Sequence, residues 1–246
     1  MPSQEATPWS FPDYWLDAYP CALSTRIRNQ RKLSVKRDWE NWDVGDIAKE
    51  IHSIWQNSPV EDAHRQELVD IVMRCGSPAI PSILEVGCGT GLIYHKLADR
   101  LPPGSSYLGV DSSLKMLKIA RRNFPKGDFH FGDGYGLVFE DQEFDIVLCF
   151  EVLGHIPEIE QFVAELLRVA RKTCIFTTWP SDGQDIVDNY ETIADVQFLH
   201  RRYSDTFIRK IIRGKGGNNL CEVESVTLRS GGHAYIVTRR PDSSRK

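Results

Sequence analysis

The sequence predicts an α/β fold built on a mainly parallel sheet whose last strand runs backwards. Three observations carry that expectation. Over residues 79–240, short apolar runs alternate with helical patterns, which implies right-handed crossovers between parallel strands. A glycine-rich turn, "EVGCGTG" over residues 85–91, separates the first apolar run from the first helical pattern that follows it. The last two apolar runs are joined only by "RSGG" (229–232), too short for a crossover, so they form an antiparallel hairpin.

In chain order, the first 78 residues differ in character from the rest. They hold five of the six tryptophans: Trp9, Trp15, Trp39, Trp42 and Trp55. Residues 1–38 carry no periodic pattern and read as a mobile segment. In "DVGDIAKEIHSIWQ" (43–56), Val44, Ile47, Ile51, Ile54 and Trp55 fall at helical spacing. In "SPVE" (58–61), Ser58 reads as an N-cap, Pro59 as the first helical residue and Glu61, three residues after the cap, as its capping-box partner. Leu68, Val69, Val72 and Met73 supply that helix with an apolar face, and Gly76 can stop it. The strands that follow are expected at 82–86, 106–110, 128–131, 144–150, 173–179, 221–228 and 233–239. Helices are expected at 91–100, 113–123, 158–171 and within 184–213. The domain division is therefore a helical, aromatic-rich extension over 1–78 and an α/β domain over 79–246.

The bulk properties narrow the class. The chain has 246 residues, 41% of them hydrophobic and 26% charged, enough for a sizeable core without disulfide staples. A net charge of −4 makes no global case for nucleic-acid binding. No two of the six cysteines stand at C-x-x-C spacing, so no zinc site or other metal is expected. Reduced thiols and a cytoplasmic setting follow. The opening "MPSQEATPWSF" lacks a basic region followed by an apolar run, and no apolar run is long enough to cross a bilayer.

The chemistry starts at the glycine loop. Gly87, Gly89 and Gly91 give G-x-G-x-G, with the third glycine one place early for a dinucleotide fingerprint. The next strand ends in "GVDSS", which sets Asp111 and Ser112 beyond its carboxyl end, where ligands of such sheets bind. A carboxylate there can accept both hydroxyls of a ribose, and the same residues also suit a helix N-cap. The third strand ends in "FHFGDGYG", which sets Asp133 and Gly134 where a carboxylate can accept from an adenine amino group. A simple Asp-Gly turn is the plainer reading of that pair.

Together, "ILEVGCGTG", "LGVDSSLKML", "FHFGDG" and "FDIVLCFEVLGHIPE" resemble the motif series of class I S-adenosylmethionine-dependent methyltransferases over residues 80–240. The resemblance implies a Rossmann-like sheet of strand order 3-2-1-4-5-7-6. It assigns Glu85, Gly87, Gly89 and Gly91 to the methionine end of the cofactor, Asp111 and Ser112 to the ribose, and Asp133 and Gly134 to the adenine. It adds Met116, which packs on the adenine in such proteins, and Phe150, whose backbone meets the methionine amino group. His155 matches a position facing the transferred methyl group, where it can serve as a base or as a packing residue.

Two further stretches bear on the acceptor. In "FLHRRYSDTFIRKII" (198–212), Ser204 reads as an N-cap, which leaves His200, Arg201, Arg202 and Tyr203 just before a helix N-terminus. Two arginines and a helix dipole suit a carboxylate or phosphate, and a solvated loop accounts for them equally well. His200 and Tyr203 join His155 as candidate bases. In the extension, Trp39 and Trp42 stand where related enzymes carry a lid, and Arg37 can pair with the cofactor carboxylate. Arg26, Arg28, Arg31, Lys32, Lys36 and Arg37 form a basic run that can touch RNA or simply face water. The expected activity is methyl transfer from S-adenosylmethionine to oxygen or nitrogen of a small-molecule acceptor, with anionic acceptors among the candidates. An RNA or protein methyltransferase and a non-catalytic binding module stay open, and the loop spacing argues against a nicotinamide enzyme.

Overall fold

The computed structural model describes residues 38–75, 80–193, 195–216 and 220–239. The basic run over 26–37 and Gly76 lie outside the described residues, and so does the side chain of Trp39.

A 3-10 turn, Asp38–Asp43, leads into helices α1 (Ile47–Asn57) and α2 (Pro59–Arg74). The buried stripe of α1 is Ile47, Ala48, Ile51 and His52. Val44 and Ile54, expected on that stripe, are 46% and 56% exposed. Val44 precedes the helix, and Ile54 turns toward the cavity described below. The Ser58 hydroxyl caps α2 by accepting from the Glu61 N–H at 3.3 Å. Only half of the capping box forms, because the Glu61 carboxylate turns to Arg65, one helical turn on.

The α/β unit follows: β1 (Ser82–Val86), α3 (Leu92–Leu97), β2 (Ser106–Asp111), α4 (Leu114–Asn123), β3 (Asp128–Phe131), β4 (Phe144–Cys149), α5 (Ile159–Val169) and β5 (Ala170–Pro180). Then come β6 (Ile186–Ile193), β7 (Val196–Tyr203), α6 (Asp205–Gly216), β8 (Leu220–Thr227) and β9 (His233–Arg239). The main sheet runs β3-β2-β1-β4-β5-β9-β8, parallel except for β9, which is antiparallel to both neighbours. This is the expected Rossmann-like order, with the last strand reversed.

Strand alternation divides the core into two layers. Leu84, Val86, Val147 and Cys149 pack with Phe162, Val163, Leu166, Ile208 and Ile212 of α5 and α6. Ile83, Ile146, Leu148 and Phe150 face the other way, onto Leu68 and Val72 of α2 and Ile93 and Leu97 of α3. Every residue of β4 is buried, so its sequence reads as one apolar run rather than as an alternation.

The sequence expectation fails at residues 186–203. These form a β-hairpin, not part of a helix, and raise the strand count from seven to nine. The helix begins only at Asp205, with the Ser204 hydroxyl accepting from the Phe207 N–H at 3.1 Å. The β-branched and aromatic residues Ile186, Val187, Tyr190, Thr192, Ile193, Val196, Phe198 and Tyr203 favour the pleated form. Asp195, at φ +63°, accepts the left-handed turn. β7 joins the sheet beside the tip of β5, pairing parallel at Trp179↔Arg202 and Pro180↔Tyr203.

Candidate functional site

The carboxyl ends of β1, β2, β3 and β4 open into one cavity of about 510 Å³, walled on its other sides by α1, α2 and the β6–β7 hairpin. The turn after β1 forms its floor. Gly87 (φ +80°) admits no side chain, because a Cβ would collide with Val152. Gly89 (φ +52°) has space where its side chain would be, with the Trp55 ring 3.8 Å away as the one neighbour among the described residues. A bare backbone therefore faces the cavity, as a ligand that lies close to the chain requires.

Asp111 ends β2 and ties the floor together. Its Oδ2 accepts from the Gly89 N–H and its Oδ1 from the Ser113 N–H, both at 2.8 Å. A carboxylate offers about four lone-pair sites, so each oxygen keeps one for a further donor. That pair of free sites matches a vicinal diol. Burial pushes the Asp111 carboxyl up to about 6, against the backbone N–H groups of Ser113, Gly89 and Ser112 that favour its charged form. Ser112 lines the cavity, while Ser113 caps α4 by accepting from the Met116 N–H at 3.1 Å. Met116 is 3% exposed and borders the same wall.

Asp133 and Gly134 form the third strand end. Asp133 accepts from the Tyr135 N–H at 2.9 Å, which is the Asp-centred turn, and both residues line the cavity. Glu85 is 2% exposed at the end of β1. Burial pushes its carboxyl up to about 8; the hydrogen bond from the Tyr107 hydroxyl pulls down and the nearby Asp111 pushes up. Phe150, just after β4, also borders the cavity. All ten positions expected to meet the cofactor except Gly91 are therefore on one wall. Gly91 is set back, under the Phe129 and Phe124 rings.

The extension closes the opposite side and is bolted down at three points. Asp43 accepts from Ser113 Oγ (2.5 Å) and from the Lys115 N–H (3.1 Å), which adds a second cap to α4. Asn123 donates to His52 Nε2 at 3.0 Å, so His52 Nδ1–H donates to Thr90 Oγ1 within the glycine turn at 2.9 Å. Trp42 packs on Phe198 of the hairpin with ring centroids 4.5 Å apart.

Beyond the strand ends lies a second compartment. The ring of Trp42 stands edge-on to His155 (5.2 Å), His155 lies 6.0 Å from His200, and His200 lies 5.6 Å from Trp179. The Leu199 carbonyl accepts from His155 Nδ1–H at 2.7 Å. That fixes the tautomer and leaves the lone pair on Nε2. Burial, together with the nearby His200, holds the His155 imidazole below its ordinary value, so it is neutral near pH 7.

The other residues expected near the acceptor lie elsewhere. Tyr203 is buried, donates its hydroxyl to the Leu153 carbonyl at 3.0 Å and stacks on Phe207; it is off the cavity wall. Arg201 pairs with Asp188 (2.7 Å) and also donates to the Pro157 carbonyl. Arg202 is exposed and off the wall. In a strand, neighbours point to opposite faces, so His200 reaches the cavity and Arg201 cannot. The anion site read from a helix N-terminus is thereby corrected.

One pair on the wall has no local sequence signal. His64 of α2 and Glu151, which follows β4 at φ +57°, meet at 3.3 Å. Thr177 Oγ1 donates to the same Glu151 carboxylate at 3.0 Å. Burial opposes charge on both side chains, but their mutual attraction wins: His64 is raised and Glu151 lowered, and both shifts favour the ion pair.

Residues 83–173 match a family model described as a methyltransferase domain. Phthiotriol/phenolphthiotriol dimycocerosates methyltransferase of Mycobacterium tuberculosis is 38% identical over 139 residues, 56% of this chain and 51% of that protein. The dTDP-3-amino-3,6-dideoxy-alpha-D-glucopyranose N,N-dimethyltransferase of Streptomyces fradiae is 34% identical over 129 residues, 51% of this chain and 48% of that protein. The chain thus spans about half the length of these two curated relatives. Among solved structures, magnesium protoporphyrin IX methyltransferase of Synechocystis PCC 6803 with bound SAH shares the fold. Its TM-score is 0.58 at 21% identity, over 83% of this chain and 98% of that one.

Proposed function

From the premise that the chain carries a class I S-adenosylmethionine-dependent methyltransferase domain, we propose that it methylates a small-molecule acceptor in the cavity above the sheet. One observation carries this reading. A single cavity joins the backbone floor at Gly87–Gly89 and the carboxylates Asp111 and Asp133 to a separate compartment around Trp42, His155, Trp179 and His200. Its volume of about 510 Å³ lies within the range of small-ligand sites.

The residues suit the cofactor. Asp111, held by the Gly89 and Ser113 N–H groups, has a free lone pair on each oxygen for the ribose hydroxyls. Asp133 and Gly134 stand at the adenine end, with Met116 as the apolar wall. Glu85 and the Gly87–Gly89 turn face the amino-acid end. Bound S-adenosylmethionine supplies a methyl group already activated by the sulfonium. What the chain adds is position and dryness: orientation of this kind is worth roughly 7–11 kcal/mol of barrier. The Asp43 and His52 anchors keep the extension over the site, and His155 Nε2 offers a neutral base for an acceptor that must lose a proton. The curated relatives named above carry small-molecule acceptors in their names, which supports the same class here.

The test is turnover of the purified chain with S-adenosylmethionine and pooled small metabolites, read as S-adenosylhomocysteine release. Acceptor-dependent release is expected. Absence of S-adenosylhomocysteine binding by calorimetry would overturn the reading.

A further inference from the structure

We propose that the acceptor is an amine, which enters as an ammonium beside Glu191, gives a proton to His155 and leaves methylated. The inference rests on the methyl-transfer reading and adds the substrate class to it.

Strand register fixes the position of Glu191. Opposed residues of an antiparallel pair share a face, and Glu191 stands opposite Phe198 while Asn189 stands opposite His200. Phe198 packs inward on Trp42, so Glu191 and His200 both face the cavity and line it. Among the described residues the Glu191 carboxylate has neither a hydrogen bond nor an ion pair.

The wall around it is short of cations. Glu61, Glu85, Asp111, Asp133, Glu151 and Glu191 line the cavity, against a single described arginine, Arg65. Arg65 is occupied by the Trp55 carbonyl (2.5 Å) and by Glu61. Arg201 points to the other face, onto Asp188. Glu85, Asp111 and Asp133 belong to the strand ends, and Glu151 is matched by His64. Glu191 is left over on the acceptor side, with Trp42 and Trp179 as aromatic walls. A carboxylate or phosphate acceptor would meet negative charge with no unpaired arginine or lysine among the described lining residues to offset it. An ammonium would gain Glu191 and the aromatic faces.

His155 completes the arrangement. Its Nε2 has no hydrogen-bond partner among the described residues, and Nδ1–H is held by Leu199. The charged or titratable groups acting on its ring are His200, Glu151 and Glu191, and both carboxylates favour the imidazolium that forms when it takes a proton. The step balances. The ammonium loses one proton to Nε2 and becomes a neutral amine. Its lone pair forms the N–CH3 bond as the S–CH3 bond breaks, and the S–C electron pair stays on sulfur. The positive charge passes from sulfur to the methylated nitrogen, and His155 releases its proton to water.

The test uses the purified full chain with S-adenosylmethionine and sets of acceptors that share a carbon skeleton but carry an amine, a hydroxyl or a carboxylate. Products are read by mass spectrometry. Transfer to amines alone is expected. In Glu191→Gln the KM for the amine should rise roughly fivefold or more, while S-adenosylhomocysteine affinity stays within about twofold. Transfer to a hydroxyl or carboxylate at a similar rate, no transfer to any amine, or an unchanged KM in Glu191→Gln overturns the proposal. Calorimetry on the same preparation separates the two readings. Wild-type protein that binds S-adenosylhomocysteine but methylates no amine ends only this proposal; protein that does not bind it ends the methyl-transfer reading as well.

Discussion

Replacing Asp111 removes the group on which the cofactor site turns. In Asp111→Ala both free lone pairs of the carboxylate disappear. A hydrogen bond to a charged acceptor is worth about 1.5–3 kcal/mol, so two come to about 3–6 kcal/mol. At about 1.4 kcal/mol per tenfold, affinity for S-adenosylhomocysteine should fall by about 10² to 10⁴. The fold should survive, because two effects on stability oppose each other. Folding raises the Asp111 carboxyl from 3.8 to about 6, a penalty of about 3 kcal/mol above pH 6 that the substitution relieves. Against this stand the two lost backbone hydrogen bonds, at about 1 kcal/mol each; of the two donors, Gly89 lines the cavity, where water can replace the carboxylate. Asp111→Asn keeps one acceptor oxygen and the turn geometry, so its loss should be about ten- to a hundredfold. The assay is calorimetric titration with S-adenosylhomocysteine, alongside thermal melting. Affinity for Asp111→Ala within about threefold of wild type would refute the ribose assignment.

The same carboxyl makes binding pH-dependent. Its pKa of about 6 in the cofactor-free protein means that S-adenosylhomocysteine affinity should hold above pH 7 and fall as pH drops through 6; a flat profile from 5 to 8 would contradict this. The His64–Glu151 pair sets a different window. Glu151 is lowered and His64 raised, so the pair stabilises fully above the unfolded carboxyl value of 4.5 and below the unfolded imidazole value of 6.5. It fades as pH rises through the raised value of His64. Glu151→Gln should therefore cost about 1 kcal/mol by denaturant titration at pH 6 and less at pH 8.5, the part-exposure of Glu151 keeping the figure small. Gly87→Ala combines a left-handed φ with a collision on Val152, for a cost of about 2–5 kcal/mol. Adding Val152→Ala should return the collision's share but not the strain, a split that equilibrium unfolding can read.

Most of the sheet was legible because its signals are local. β4 is buried throughout and reads as "FDIVLC", and the glycine turn sits between a strand and a helix. Ser58 and Ser204 are N-caps that act within three residues of themselves. The hairpin at 186–203 was lost because β6 is an exposed edge strand with no clean alternation of apolar and polar residues. That error carried a second one: read as the approach to a helix, His200, Arg201 and Arg202 share a site, whereas in a strand His200 and Arg201 part company. The cap of Asp43 on α4 spans 70 residues of sequence, and the His64–Glu151 contact spans 87. Neither has a local pattern to read, since crossover packing alone creates them.

The most direct test is a crystal structure of the full chain with S-adenosylhomocysteine. The ribose hydroxyls are expected on Asp111, the adenine beside Asp133 and Gly134, and the sulfur facing the compartment of Trp42, His155 and His200. A ligand bound in the reverse sense, with its sulfur away from that compartment, or bound outside the cavity, would contradict this arrangement.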